Sequence, residues 1–186
     1  MKRFLFALLA ALFVPAAHAD EALWAKLKAG GNVVLIRHTS TEAGLGDPPG
    51  FKLGDCATQR NLSEAGREEA RRLGRQFKFR AINFTTARSS QWCRCQETAR
   101  LAFGEEPEPW PVLNSLHADA SGEAALVKEV NALAAKVKPP YNAVLVTHNF
   151  NIRALTGLSP REAEIIITRA GGGKLEVVGR IPLPPQ

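Results

Sequence analysis

The sequence lacks any apolar run long enough to cross a bilayer. Its longest, residues 4–14, falls well short of the ~20 residues that a membrane-spanning helix needs. It also lacks internal repeats, low-complexity linkers and any second composition regime, so residues 20–186 read as one domain with room for a core. There is no basic stripe interleaved with aromatics. Basic side chains are instead scattered through amphipathic segments such as residues 64–80, which argues against a nucleic-acid surface. His38, His117 and His148 form no close pair and no HExxH-like helix, and the flanking arginines would repel a cation, so no metal or other cofactor is expected. Cysteine is scarce: Cys56, Cys93 and Cys95 allow at most one internal bridge. The glycine-rich Gly171-Gly172-Gly173-Lys174 is not a phosphate loop, because Leu175 stands where Ser or Thr is required and no upstream glycine has the right spacing.

What is present begins with Lys2 and Arg3 ahead of the apolar run, and Ala17-His18-Ala19 at a cleavage boundary. That is the layout of a secretory signal peptide over residues 1–19, so the mature domain is expected to be residues 20–186, periplasmic or secreted, without stable membrane insertion. Removing the segment lowers the formal net charge from +6 to +4, since it holds Lys2 and Arg3 and no acidic side chain. Such an excess favours anionic partners only mildly. Export makes a disulfide plausible. On a helix Cys93 and Cys95 would point in different directions, so Cys56 is expected to pair with one of them, three free thiols being the alternative.

Along the chain, a strand over residues 33–36 is followed by a long polar connection, residues 40–61, of the kind that is usually functional in a compact domain. Ser63 then reads as the N-cap of a helix reaching about residue 79, with Ala65, Ala70, Leu73 and Phe77 on one face. A short strand over 81–86, helices over 91–103 and 122–137, a strand over 143–147 and a short helix to Gly157 follow. Residues 164–169 and 174–179 flank the glycines as a hairpin. This alternation predicts an α/β fold, a three-layer sandwich with a mainly parallel sheet and an antiparallel edge.

Two of these strands end in chemistry. Val33-Val34-Leu35-Ile36 delivers Arg37 and His38, and Ala143-Val144-Leu145-Val146-Thr147 delivers His148. In parallel sheets ligands bind beyond the carboxyl ends of the strands, and between these two lies a segment carrying Arg94. Two histidines and two arginines converging there suggest a phosphate site.

Arg37-His38-Thr39 after a buried strand, Ser89-Ser90 followed by Arg94 and Glu97-Thr98-Ala99, and the late Thr147-His148 together resemble the histidine phosphatase superfamily, with its phosphoglycerate-mutase-like fold. The stretch from Asp55 to Ser63 with Gly66 is similar to that family's polar turn and helix start. Within it the chain looks like a small exported phosphatase. The resemblance implies that His38 attacks phosphorus to form a phosphohistidine that water hydrolyses, that Arg37 and Arg94 hold the phosphoryl oxygens, and that His148 completes the pocket as a donor when protonated. Like-charge repulsion from the arginines would keep the nucleophile neutral. Arg60 is a candidate for a further phosphate contact.

A leaving alkoxide also needs a proton. Asp119, ahead of Glu123, is the expected acid, since both lie where relatives of this kind place theirs. Thr39 stands where many relatives have glycine, and Asn149 where the phytase-like branch has aspartate, which strengthens the case for Asp119. The expected partner is a phosphorylated small molecule or an envelope glycan. A mutase is disfavoured because phosphoglycerates are cytoplasmic. The alternative from another class is a noncatalytic phosphate-binding envelope module.

Overall fold

Val33, Val34, Leu35 and Ile36 are all buried, as a strand covered on both faces requires. They form β1 (Val33–Arg37), which lies inside the sheet rather than at its edge. A computed structural model describes residues 16–44, 46–104 and 106–183 of the chain. Its elements run α1 (Ala16–Ala29), β1, α2 (Glu64–Phe79), β2 (Phe84–Ser89), α3 (Cys93–Phe103), β3 (Glu108–Pro109), α4 (Glu123–Ala134), β4 (Asn142–Thr147), α5 (Asn149–Thr156), β5 (Ile165–Gly171) and β6 (Lys174–Ile181). The strand order is β3, β2, β4, β1, β5, β6. The first four are parallel neighbours, and β5 and β6 supply the antiparallel edge expected from the sequence.

Alternation along β1 divides the core in two. Val34 and Ile36 pack with Trp24, Leu73, Phe77 and Ala99 from α1, α2 and α3. Val33 and Leu35 pack with Leu126, Val130 and Ile152 from α4 and α5 on the opposite face. The three layers follow from that alternation, and parallel pairing brings the carboxyl ends of β3, β2, β4 and β1 to one common edge.

The cap of α2 is as its sequence suggests, with Ser63 Oγ accepting from Gly66 N at 3.1 Å, but of the expected face Ala65 is exposed and Gly66 takes its place beside buried Ala70, Leu73 and Phe77. Gly66 is required by contact, because a Cβ there would stand 1.8 Å from the Ser40 carbonyl oxygen. Gly74 does the same between helices, where a Cβ would lie 1.9 Å from the Ala102 carbonyl oxygen. The Gly172-Gly173 turn joins β5 to β6 with both φ angles positive, as a two-residue hairpin loop demands.

Three expectations need revision. β2 begins three residues later than the strand expected over 81–86, because Ala81 at φ 51° and the Ile82 N to Phe77 O bond of 3.0 Å are still closing the end of α2. α3 begins at Cys93, since Ser90 Oγ accepts from Trp92 N at 3.2 Å and holds residue 91 in the turn. α1 was not expected at all: only a few apolar positions, with Trp24 and Leu27 buried, mark it in the sequence. Of the expected signal segment, residues 1–15 lie outside the described residues, and α1 crosses the expected boundary after residue 19.

Candidate active site

Arg37 on β1 pairs in register with Thr147 on parallel β4, so the next residues, His38 and His148, emerge side by side at the carboxyl end of the sheet. His38 N donates to Thr147 O at 3.0 Å, and the two imidazole centroids are 5.5 Å apart. Nδ1 of His38 lies 2.9 Å from the carbonyl oxygen of Thr39, which can only accept. Nδ1 therefore carries the proton, and Nε2 keeps its lone pair. Burial pushes the His38 pKa down to about 3, against the Thr39 bond and with Arg94, Arg37 and Arg60 acting in the same direction. The buried His148, with Nε2 2.9 Å from Ser90 Oγ, is likewise held well below the ordinary imidazole range by burial, by His38 and by Arg94 and Arg37. The protonated donor expected at His148 is thus disfavoured in the free protein, since both its burial and its neighbours oppose a charge.

Arg37, Arg60 and Arg94 line one pocket of about 210 Å³ with both histidines. Arg37 donates to the carbonyl of Pro160 at 3.1 Å and to Glu162 at 3.2 Å. Arg94, 5% exposed, donates from Nη1 to Asp47 Oδ1 at 2.7 Å and from Nη2 to Oδ2 at 3.3 Å. Arg60 donates to the Gly44 carbonyl at 2.8 Å. In all three, as in Arg72 and Arg80 away from the pocket, the Nε is buried and finds no hydrogen-bond partner among the described residues. What fits a compact, multiply charged oxyanion is the gathering of three guanidinium groups around one small pocket. A larger groove, about 610 Å³ between α2, α3 and β2, contains none of these groups.

The long connection is the pocket's outer wall, as its length suggested. It brings in Gly46, Asp47 and Arg60, and Cys56 is joined to Cys93 at the start of α3, next to Arg94. Of the two pairings left open for Cys56, Cys93 is the one formed, while Cys95 is free and buried with its Sγ 3.5 Å from His148 Nε2. Burial pushes that thiol up to about 12. Asp47 went unforeseen, having no distinguishing spacing in a loop with several acidic residues. Its carboxylate also accepts from Trp92 Nε1 at 2.9 Å and from Arg60 N at 3.0 Å. Although burial opposes ionisation, the bonds from Arg94, Trp92 and Arg60 hold its carboxyl below the usual carboxylate range. Ser115, His117 and Phe150 also line the pocket without having been expected there.

Asp119 is not brought to the pocket, whose lining in that segment includes Ser115, His117 and Ala118. It is exposed, and its Oδ1 accepts from Ser121 N at 2.9 Å, so the carboxylate is folded back to cap the tight turn over Ala120–Gly122. Glu123, the second candidate, is exposed in the first turn of α4 and does not line the pocket either. In this arrangement neither candidate acid lines the pocket, and a local cap holds the Asp119 carboxylate on its own turn. His38, His117 and His148 all line the pocket, yet among the described residues no group of three or more His, Cys, Asp or Glu side chains converges as a metal-ligand set.

The family model of the histidine phosphatase superfamily (branch 1) matches residues 33–126, just over half of the chain. The chain belongs to this superfamily. The matched span carries Arg37, His38, Asp47, Arg60 and Arg94, and the phosphatase class read from the sequence holds with it. The comparison with curated proteins found no match. Solved structures share the fold. The protein histidine phosphatase SixA, solved with tungstate, is 15% identical, covering 81% of this chain and 96% of its own, with a TM-score of 0.54. YhfR of Bacillus stearothermophilus is 17% identical over 79% of this chain and 95% of its own, with a TM-score of 0.57. A phosphoserine phosphatase variant of Entamoeba histolytica, solved with phosphoserine, is 18% identical over 80% and 95%, with a TM-score of 0.54.

Proposed function

We propose that this histidine phosphatase is an exported, metal-independent phosphomonoester hydrolase that works through a phosphohistidine on His38. The observation that carries the reading is the set of three guanidinium groups, of Arg37, Arg60 and Arg94, lining one small pocket with a buried imidazole whose Nε2 keeps its lone pair. A phosphoryl group seated on those donors presents its phosphorus to a lone pair that needs no deprotonation step. As the P–O bond breaks and the P–N bond forms, charge on the equatorial oxygens is held by guanidinium groups already fixed in place. A bound dianion favours charge on His148 against the burial and, secondarily, the repulsion that keep it neutral in the free protein, so that His148 becomes a further hydrogen-bond donor once substrate is present. Water then attacks the phosphohistidine and releases phosphate. The substrate is a phosphorylated small molecule or the phosphate of an envelope glycan, reaching the pocket through the mouth beside His117 and Phe150.

The test is phosphate release from nitrophenyl phosphate by residues 20–186 in excess chelator, beside His38→Ala. Turnover is expected in the wild type and not in the variant, because without the imidazole the covalent route is gone. Quenching in alkaline detergent during turnover should trap on the wild-type chain alone a phosphoryl group that later acid treatment releases. Equal turnover in both proteins would remove His38 from the mechanism, and loss of turnover on chelation would remove metal independence.

A further inference from the structure

An alcohol leaves a phosphoryl group readily only if its oxygen is protonated as the bond breaks. With Asp119 turned away, the donor has to come from the pocket lining itself. The three arginines hold their protons too tightly to serve. His38 is consumed as the nucleophile, and His148 is buried against Ser90 and Cys95. Both oxygens of Asp47 are bonded to Arg94, with Trp92 and the Arg60 amide adding to the hold, so Asp47 is an orienting anion rather than a proton source. Among the described lining residues that leaves His117, the one imidazole there that is exposed to solvent.

Its placement is a built one. His117 sits in a turn closed by Ala118 N and Asp119 N on the Ser115 carbonyl, at 3.0 and 3.1 Å. Buried Asn151 of α5 pins that turn, accepting from Leu116 N at 3.1 Å and donating to the Asn114 carbonyl at 2.8 Å. The ring stacks on Phe150, with centroids 5.1 Å apart and planes 28° from parallel. His38 lies buried on the pocket floor and His117 at the mouth, and in-line transfer places the leaving oxygen on the side of phosphorus away from the nucleophile.

On the phosphatase reading above, we propose that His117 is the catalytic acid–base residue of this site. In the first step His38 Nε2 forms the P–N bond, the electron pair of the breaking P–O bond goes to the ester oxygen, and the imidazolium of His117 gives that oxygen its proton, releasing a neutral alcohol. In the second step water forms the new P–O bond, its proton passes to the now neutral His117, the P–N bond breaks and phosphate leaves. The charged and titratable groups around His117 are Arg37, Arg60, Arg94, Asp47, His38 and His148 in the pocket, Asp119 on its own turn and Arg153 one helical turn beyond Phe150.

The experiment compares nitrophenyl phosphate, whose phenolate leaves without help, with phenyl phosphate, whose leaving oxygen needs a proton. In His117→Gln the ratio of kcat/KM for phenyl to nitrophenyl phosphate should fall roughly tenfold or more, part of the roughly 100- to 10,000-fold that a general acid contributes for a poorer leaving group. His117→Glu, which restores a side chain able to give a proton, should recover part of that ratio. An unchanged ratio in His117→Gln would overturn the assignment. If nitrophenyl phosphate were turned over independently of His38, the phosphatase mechanism above would fail instead, and the assignment with it.

Discussion

His38 and His148 are imidazoles that the fold keeps neutral, chiefly by burial and secondarily by the arginines beside them. Unfolding frees both to titrate near the ordinary value of about 6.5, so the unfolded chain binds more protons than the native one below that pH. The resulting stability is complete above about 6.5 and is lost as pH falls toward the native His38 value of about 3. Between about pH 7 and 5, where carboxylates contribute little, the denaturant midpoint should therefore fall, and His38→Gln should show a shallower fall. Equal slopes in both proteins would mean that the native imidazole is not held neutral. The residue scale also explains why Asp47 matters without being a proton donor. It accepts from both Nη atoms of Arg94 and so fixes the plane of a guanidinium that lines the pocket, a two-point hold that lysine cannot reproduce.

Among the elements, the connection over residues 40–61 depends most on a single covalent bond. Two of its side chains, Asp47 and Arg60, line the pocket, while Cys56 is tied to Cys93 at the start of the helix that presents Arg94. Gln59 reinforces the join by accepting from Cys93 N at 3.0 Å. Closing a separation of 37 residues restricts the unfolded chain enough to stabilise the fold by about 2–4 kcal/mol. Cys56→Ser should lower stability by that order and raise KM more than it lowers kcat, because the loosened loop carries binding groups rather than the nucleophile. Thiol titration supplies the check: the native chain should show no reactive thiol, and the denatured, unreduced chain one, from Cys95. Two or more under those conditions would exclude the bridge.

At the scale of the whole molecule, export is the proposal that the described residues leave standing, since residues 1–15 lie outside them and no described helix is long and apolar enough to cross a membrane. Intact mass of protein recovered from outside the cytoplasm should correspond to a chain beginning near Asp20, and retention of residues 1–19 would overturn the signal-peptide reading. Trp24 and Leu27 of α1 lie in the core. The sequence by itself determined β1 and β4 and placed Arg37, His38 and His148 at their carboxyl ends, because a run such as Val33 to Ile36 is buried wherever it sits and its next residue must emerge at the sheet edge. It also determined the start of α2, where Ser63 and Gly66 act through local bonds and contacts. Only the tertiary structure decided which cysteine Cys56 reaches, that Asp47 clasps Arg94, that Asp119 turns away and that His117 faces the pocket. Each of these depends on where a loop crosses an element distant in sequence, and no periodicity or short-range bond records such a crossing.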